Sequence, residues 1–165
     1  ADVNAAYSLS LASASFPSGL FDITISGLAE AGDSVTVVLP LTSAIPSGAS
    51  YKNLSLSGSA QMLSFVEDNN NLLYSAPAEA GYCPSQNDIA YTPGLTSGDM
   101  CVMLVIEDGG PNDADGSANQ KVVSLGGVYV ASDSGNGGGG GSQGLILMLF
   151  FMLTLLFRNL FRRKQ

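Results

Sequence analysis

Histidine and tryptophan are absent from this chain, and cysteine occurs only twice. Without histidine there is no Ser-His or Cys-His nucleophile pair, and the commonest metal ligand is missing. Cys83 and Cys101 cannot complete a zinc site by themselves. Charge is scarce too: charged residues make up 12% of the chain, about half the usual share of roughly 25%. Bases are scarcest, 6 against 14 acids for a net charge of -8, which excludes a nucleic-acid partner for the body of the chain. In place of charge stand Gly, Ser, Thr, Asn, Asp and Pro between short apolar runs. That is the pattern of a turn-rich β protein.

The few bases are unevenly placed. Residues 1–144 hold all 14 acids and only Lys52 and Lys121, which leaves -12; residues 145–165 hold Arg158, Arg162, Arg163 and Lys164 and no acid, which leaves +4. That tail opens with an uncharged apolar run, Leu145 to Phe157, 13 residues long or about 20 Å as a helix. Leu160 and Phe161 extend it past Arg158, whose long side chain can snorkel to the interface. From Gly144 to Phe161 the segment reaches about 27 Å as a helix, enough for a thin bilayer. It is apolar all round, with no polar face at a 3.6-residue period, and so reads as a transmembrane helix over 145–161 rather than a soluble core helix. Arg158, Arg162, Arg163 and Lys164 then determine the topology. Positive flanks stay cytoplasmic, so the acidic body faces the periplasm and 162–165 form a cytoplasmic tail. The chain begins at Ala1 with no signal peptide; the expectation is that a signal has been removed or that a larger exported protein precedes it.

Between body and tail lies SDSGNGGGGGSQG, residues 132–144, a flexible Gly-rich linker in which Gly137, Gly138, Gly139, Gly140 and Gly141 are consecutive. A Gly-rich stretch, a short apolar helix and a basic terminus, in that order, resemble the GlyGly-CTERM sorting signal of Gram-negative bacteria. The resemblance implies a transient anchor cut near the glycines by a rhomboid-type protease, rhombosortase, with surface display following, typically after type II secretion. The processing region would be Gly137 to Gly141 and Ser142. Extended backbone and small side chains suit a narrow protease cleft. A permanent anchor on a plain spacer is the simpler alternative.

In the body, Tyr7, Leu9 and Leu11 alternate with small polar residues, and so do Phe21, Ile23 and Ile25, then Val35, Val37 and Leu39. This period of two predicts strands, with a hairpin over 20–39 turning at residues 30–33. Pro40 and Pro46 stop the second strand. Further strands are expected at 60–66 and 72–74, and at 122–130 with a bulge or turn at Gly126 and Gly127. Met100 to Ile106 is apolar on both faces and reads as a central, doubly covered strand. The sum is an all-β domain, a β-sandwich of about seven or more short strands, spanning 16–131 behind a leading segment or first strand at 1–15. Cys83 and Cys101 flank a Pro-, Gly- and Ser-rich loop. In an exported chain they are expected to pair, the alternatives being two free thiols or an intermolecular bond.

The stretch FDITISGLAEAGDSVTVVLPL and the block from Tyr82 to Asn119 resemble the choice-of-anchor U domain, a domain found beside different C-terminal sorting signals. The resemblance runs from about Phe21 to Val130 and implies an extracytoplasmic location and the disulfide. It departs where that family continues with Asn-Gly and Asp-Pro-Gly-Gly; here stand Asn119-Gln120 and Ser124-Leu125-Gly126-Gly127.

Asp108, Asn112, Asp113, Asp115 and Asn119 crowd one loop, and alternating oxygens beside glycine suggest calcium. The EF-hand pattern fails, since Pro111 stands at the first ligand position and Val122 at the closing one. The bland alternative is a wide polar turn capped by Asp and Asn. Glu107 and Asp108, adjacent on a strand end, point to opposite faces, and no tryptophan offers a sugar platform, so glycoside hydrolysis is not expected. Altogether the chain reads as a non-enzymatic exported β-domain, in the inner membrane as precursor and at the cell surface or secreted after processing. Its partners would be a rhomboid-family protease, the bilayer and the type II secretion system. No cofactor is expected, calcium at that loop being the one candidate. The alternative is a permanently anchored, calcium-dependent binding or adhesion module.

Overall fold

A computed structural model describes residues 14–55, 61–79 and 81–131. The chain divides into two units, 1–132 and 133–165, and every described residue belongs to the first. The described residues form nine strands: β1 (Ala14–Ser15), β2 (Phe21–Ser26), β3 (Ser34–Pro40), β4 (Ser50–Ser55), β5 (Gln61–Ser64), β6 (Leu72–Ala76), β7 (Thr92–Pro93), β8 (Cys101–Glu107) and β9 (Lys121–Ala131). All strand pairings are antiparallel. One sheet is built around β9, with β2 and β1 along one edge and β4 then β5 along the other; the second has the order β3-β8-β6-β7. The all-β, sandwich-like expectation holds for these residues.

Alternation explains the layers. Val35, Val37 and Leu39 of β3, Leu73 of β6 and Val102, Leu104 and Ile106 of β8 pack with Phe21 and Ile23 of β2, Tyr51 of β4 and Val122 and Val128 of β9. Val102, Leu104 and Ile106 have no exposed surface, and burying each such side chain stabilises the fold by about 1.5–3 kcal/mol. The opposite face of β8 is covered as well. Cys101 and Met103 pack there with Ala76, Tyr91 and Cys83. The doubly apolar run therefore forms a central, doubly covered strand.

The expected hairpin over 20–39 is wrong in its pairing. Both strands form, but β2 pairs with β9 and β3 with β8, in different sheets. The connection is an arch, fastened at each foot to the connection between β8 and β9: the Gly27 amide donates to the Gln120 carbonyl (3.0 Å) and the Gly32 amide to Asp108 Oδ2 (3.0 Å). Gly126-Gly127 makes no turn, since β9 runs straight through it. These glycines instead admit close backbones. A Cβ on Gly126 would stand 2.7 Å from the Lys52 carbonyl, and one on Gly127 2.6 Å from that of Gly19. On this edge Phe21 pairs with Gly126, whereas Ser15 pairs with Val130, so residues 16–20 loop out beside the glycines.

Candidate functional site

The end of β8 leads into the acidic turn, and the turn is organised by its own side chains. Asp108 is 2% exposed. Its Oδ2 accepts from the amides of Gly32 (3.0 Å) and Gln120 (2.7 Å), and its Oδ1 from that of Asn119 (3.1 Å). Burial opposes ionisation, but the amides of Gly32, Asn119, Gln120 and Lys121 outweigh it and hold the carboxyl below its ordinary range. Gly109, at φ 77°, lets the backbone pass Ala118, whose amide nitrogen would lie 2.6 Å from any Cβ there.

Asn112, also buried, works as a piece of strand. Its Nδ2 donates to the Val66 carbonyl (2.8 Å) and to Asn71 Oδ1 (3.0 Å); its Oδ1 accepts from the Val66 amide (2.9 Å) and from Asn53 Nδ2 (3.1 Å). Asn71 extends the network, taking the Glu107 amide on Oδ1 (3.2 Å) and donating through Nδ2 to Asp68 (3.0 Å). That bond is the first of those lowering the Asp68 pKa. Asp113 accepts from the Gly109 amide on Oδ2 and from the Val123 amide on Oδ1, each at 2.9 Å. Asp115 pairs with Lys121 at 2.8 Å, which lowers the Asp115 pKa and raises that of Lys121. Asn119 Nδ2 also reaches Asp115 Oδ2, at 3.3 Å.

The four residues expected to hold calcium therefore share one turn but face different partners. Asp108 and Asp113 serve backbone amides, Asn112 serves Val66, and Asp115 serves Lys121. Among the described residues no three His, Cys, Asp or Glu side chains gather into a metal site. Glu107 and Asp108 diverge, the former accepting from Asn70 Nδ2 at 2.7 Å. A cleft of about 90 Å³ beside the turn is lined by Asn53, Leu63, Pro111 and Leu125, well below the roughly 300–1,000 Å³ of small-molecule sites.

Cys83 and Cys101 are joined in a disulfide with Cα atoms 5.6 Å apart. The bond ties the loop to the start of β8. Within the loop the Tyr91 hydroxyl donates to the Pro84 carbonyl (3.0 Å), and burial followed by the charge of Asp88 raises its pKa. Behind it the Ser75 hydroxyl donates to Asp99 (2.6 Å) and accepts from the Thr96 amide (2.8 Å). Sequence reasoning did not single out Asn71, Ser75 or Asp99. An isolated polar residue among small neighbours carries no mark of burial until the fold is known.

The glycines 137–141, Ser142, the apolar run 145–161 and Arg158, Arg162, Arg163 and Lys164 lie outside the described residues. Among the described residues no helix is long and apolar enough to cross a membrane. The chain matches no protein-family model, no curated protein and no solved structure.

Proposed function

We propose that this chain is a non-enzymatic exported β-domain of the choice-of-anchor U kind, carried by a GlyGly-CTERM tail. The tail anchors the precursor in the inner membrane with the body in the periplasm. There it is the substrate of a rhomboid-type protease, and the domain reaches the cell surface through type II secretion. The observation that carries the reading is the order of the tail: glycines 137–141, the uncharged run from Leu145, then Arg158, Arg162, Arg163 and Lys164. An apolar segment with bases on one flank takes a fixed orientation, and a pentaglycine before it is extended and unobstructed.

Three features of the domain support the reading. Its disulfide suits an oxidising compartment. Gln120, which stands where the resembled family has glycine, has φ 63°, a glycine-like conformation. Gly126 and Gly127, which match that family's paired glycines, are positions where a side chain would collide with backbone.

Intact mass of the protein recovered from cells tests the proposal. A C-terminus cut near Gly137 to Ser142 and bearing a small adduct is the expected result. A full-length tail retained in the membrane would overturn it in favour of a permanent anchor. If that retained form also melted higher with calcium than with chelator, the anchored calcium-dependent module would replace the reading.

A further inference from the structure

We infer that β3 is a self-association edge: two copies pair antiparallel through Ser34–Leu39, joining their β3-β8-β6-β7 sheets into one. A sheet edge offers a row of free amides and carbonyls, and folded proteins protect such edges with short strands, charges, prolines or bulges. Two other edge strands carry such devices: β7 has two residues, one of them Pro93, and β2 carries Asp22. By contrast β3 has seven residues, and its only proline is the last. Its register against β8 is unbroken from Ser34–Glu107 to Pro40–Cys101, so no bulge twists it away. Among the described residues it pairs with β8 alone.

Charge placement favours a second copy as the occupant. Ser34 to Leu39 contains no charged residue, and Val, Thr and Leu are residues that pair well across strands. A two-fold axis through Val37 sets Val35 against Leu39 and Thr36 against Val38, all uncharged. Asp33 and Glu107 flank one end of the strand only. An antiparallel joint therefore sends these acids of the two copies to opposite ends, whereas a parallel joint would stack them. Val35, Val37 and Leu39 are already packed inward, so the joint needs no repacking of the core. The domains share a strong negative charge, with Lys52 and Lys121 their only described bases. Their long-range repulsion is screened by salt, so salt strengthens this pairing, the reverse of an ion-pair interface.

The test uses the full chain in neutral detergent, with mass measured by sedimentation across protein concentration and salt. The expected result is a monomer–dimer equilibrium favoured by salt, in which alternate β3 amides, those turned away from β8, gain protection from hydrogen exchange as the dimer forms. Thr36→Lys should raise the dissociation constant about tenfold or more by setting a long charged side chain against Val38 of the second copy, the lysine device that protects natural edge strands, whereas Thr36→Val should leave it unchanged. A chain monomeric at every concentration would overturn the inference. So would a dimer that survives Thr36→Lys while the outer β3 amides exchange freely, since that dimer is held elsewhere. The exchange measurement on the parent protein decides the matter even if Thr36→Lys does not fold.

Discussion

Gln120 is the one non-glycine among the described residues with positive φ, at 63°. An L-residue there crowds its Cβ against the following carbonyl, at about 1–2 kcal/mol. The backbone nonetheless stays, because the Gln120 amide serves Asp108 Oδ2 and its carbonyl takes the Gly27 amide. The side chain contributes little in return, reaching the Ala29 carbonyl at 3.4 Å. Gln120→Gly should therefore stabilise the domain by about 0.5–1 kcal/mol, the relief of strain less the added chain entropy of glycine. A higher urea midpoint with an unchanged slope is the expected reading; a lower midpoint would show that the turn is unstrained. Asp108 makes a second prediction at this scale. Its carboxyl titrates lower in the folded protein than the 3.8 of an unperturbed aspartate. The unfolded state then takes up its proton first as pH falls, so this stabilisation is complete above about pH 5 and drains away through and below pH 4. Asp68 and Asp115 are shifted in the same direction. The melting temperature should hold steady to about pH 5 and then drop. Asp108→Asn should lower it at neutral pH, because an amide NH2 would confront backbone donors, and should flatten the acid limb. A parent melting curve indifferent to pH in the acid range would count against the assignment.

At the scale of elements, the disulfide and the loop it holds form the cover of β8. Cys101 and Met103 are closed off on that face by Ala76, Tyr91 and Cys83. Cys101→Ser should cost about 2–5 kcal/mol, the range found for native disulfides of small domains. The loss should be local before it is global: amides of residues 81–91 should exchange faster while those of β8, bonded to β3 and β6 on either side, stay protected. Uniform acceleration would mean that the loop and the core open together. Strands were legible wherever one face is apolar, as in β2 and β3, or both are, as in β8. Their partners were not, because alternation says which face is buried and nothing about which strand lies beside it. The 27–33 connection looked like a hairpin turn but is drawn apart by Gln120 and Asp108, more than 75 positions away in the case of Asp108 and Gly32. β4 went unread because Asn53, on the same side as Tyr51, breaks the apolar alternation. The acidic turn was found by composition, while its chemistry was hidden: Gly32, Val66 and Asn71 claim its oxygens and amides from distant segments.

On the scale of the whole chain, the sorting reading proposed above turns on whether the glycines carry a processing signal or merely lengthen a tether. The acidic body and the basic, apolar tail have opposite demands, and only the linker 132–144 lies between them. A protease at the membrane surface must hold its substrate extended, and Gly137 to Gly141 resist helix by about 1 kcal/mol per residue relative to alanine. On that reading, replacing all five with Ala would let a helix formed by the apolar run continue upward into the proposed cleavage segment. Insertion should persist, because the run from Leu145 and the bases at 158, 162, 163 and 164 are untouched. The uncut protein should then accumulate in the membrane of a strain that processes the parent. The converse variant keeps the glycines and replaces the four bases with Gln; it should disturb orientation and retention instead of the cut. The two variants thus fail in different places, one at cleavage and the other at topology, and protease protection of the body in spheroplasts separates them. Normal surface release of the alanine variant would reduce the glycines to a spacer and leave the tail as a membrane anchor alone.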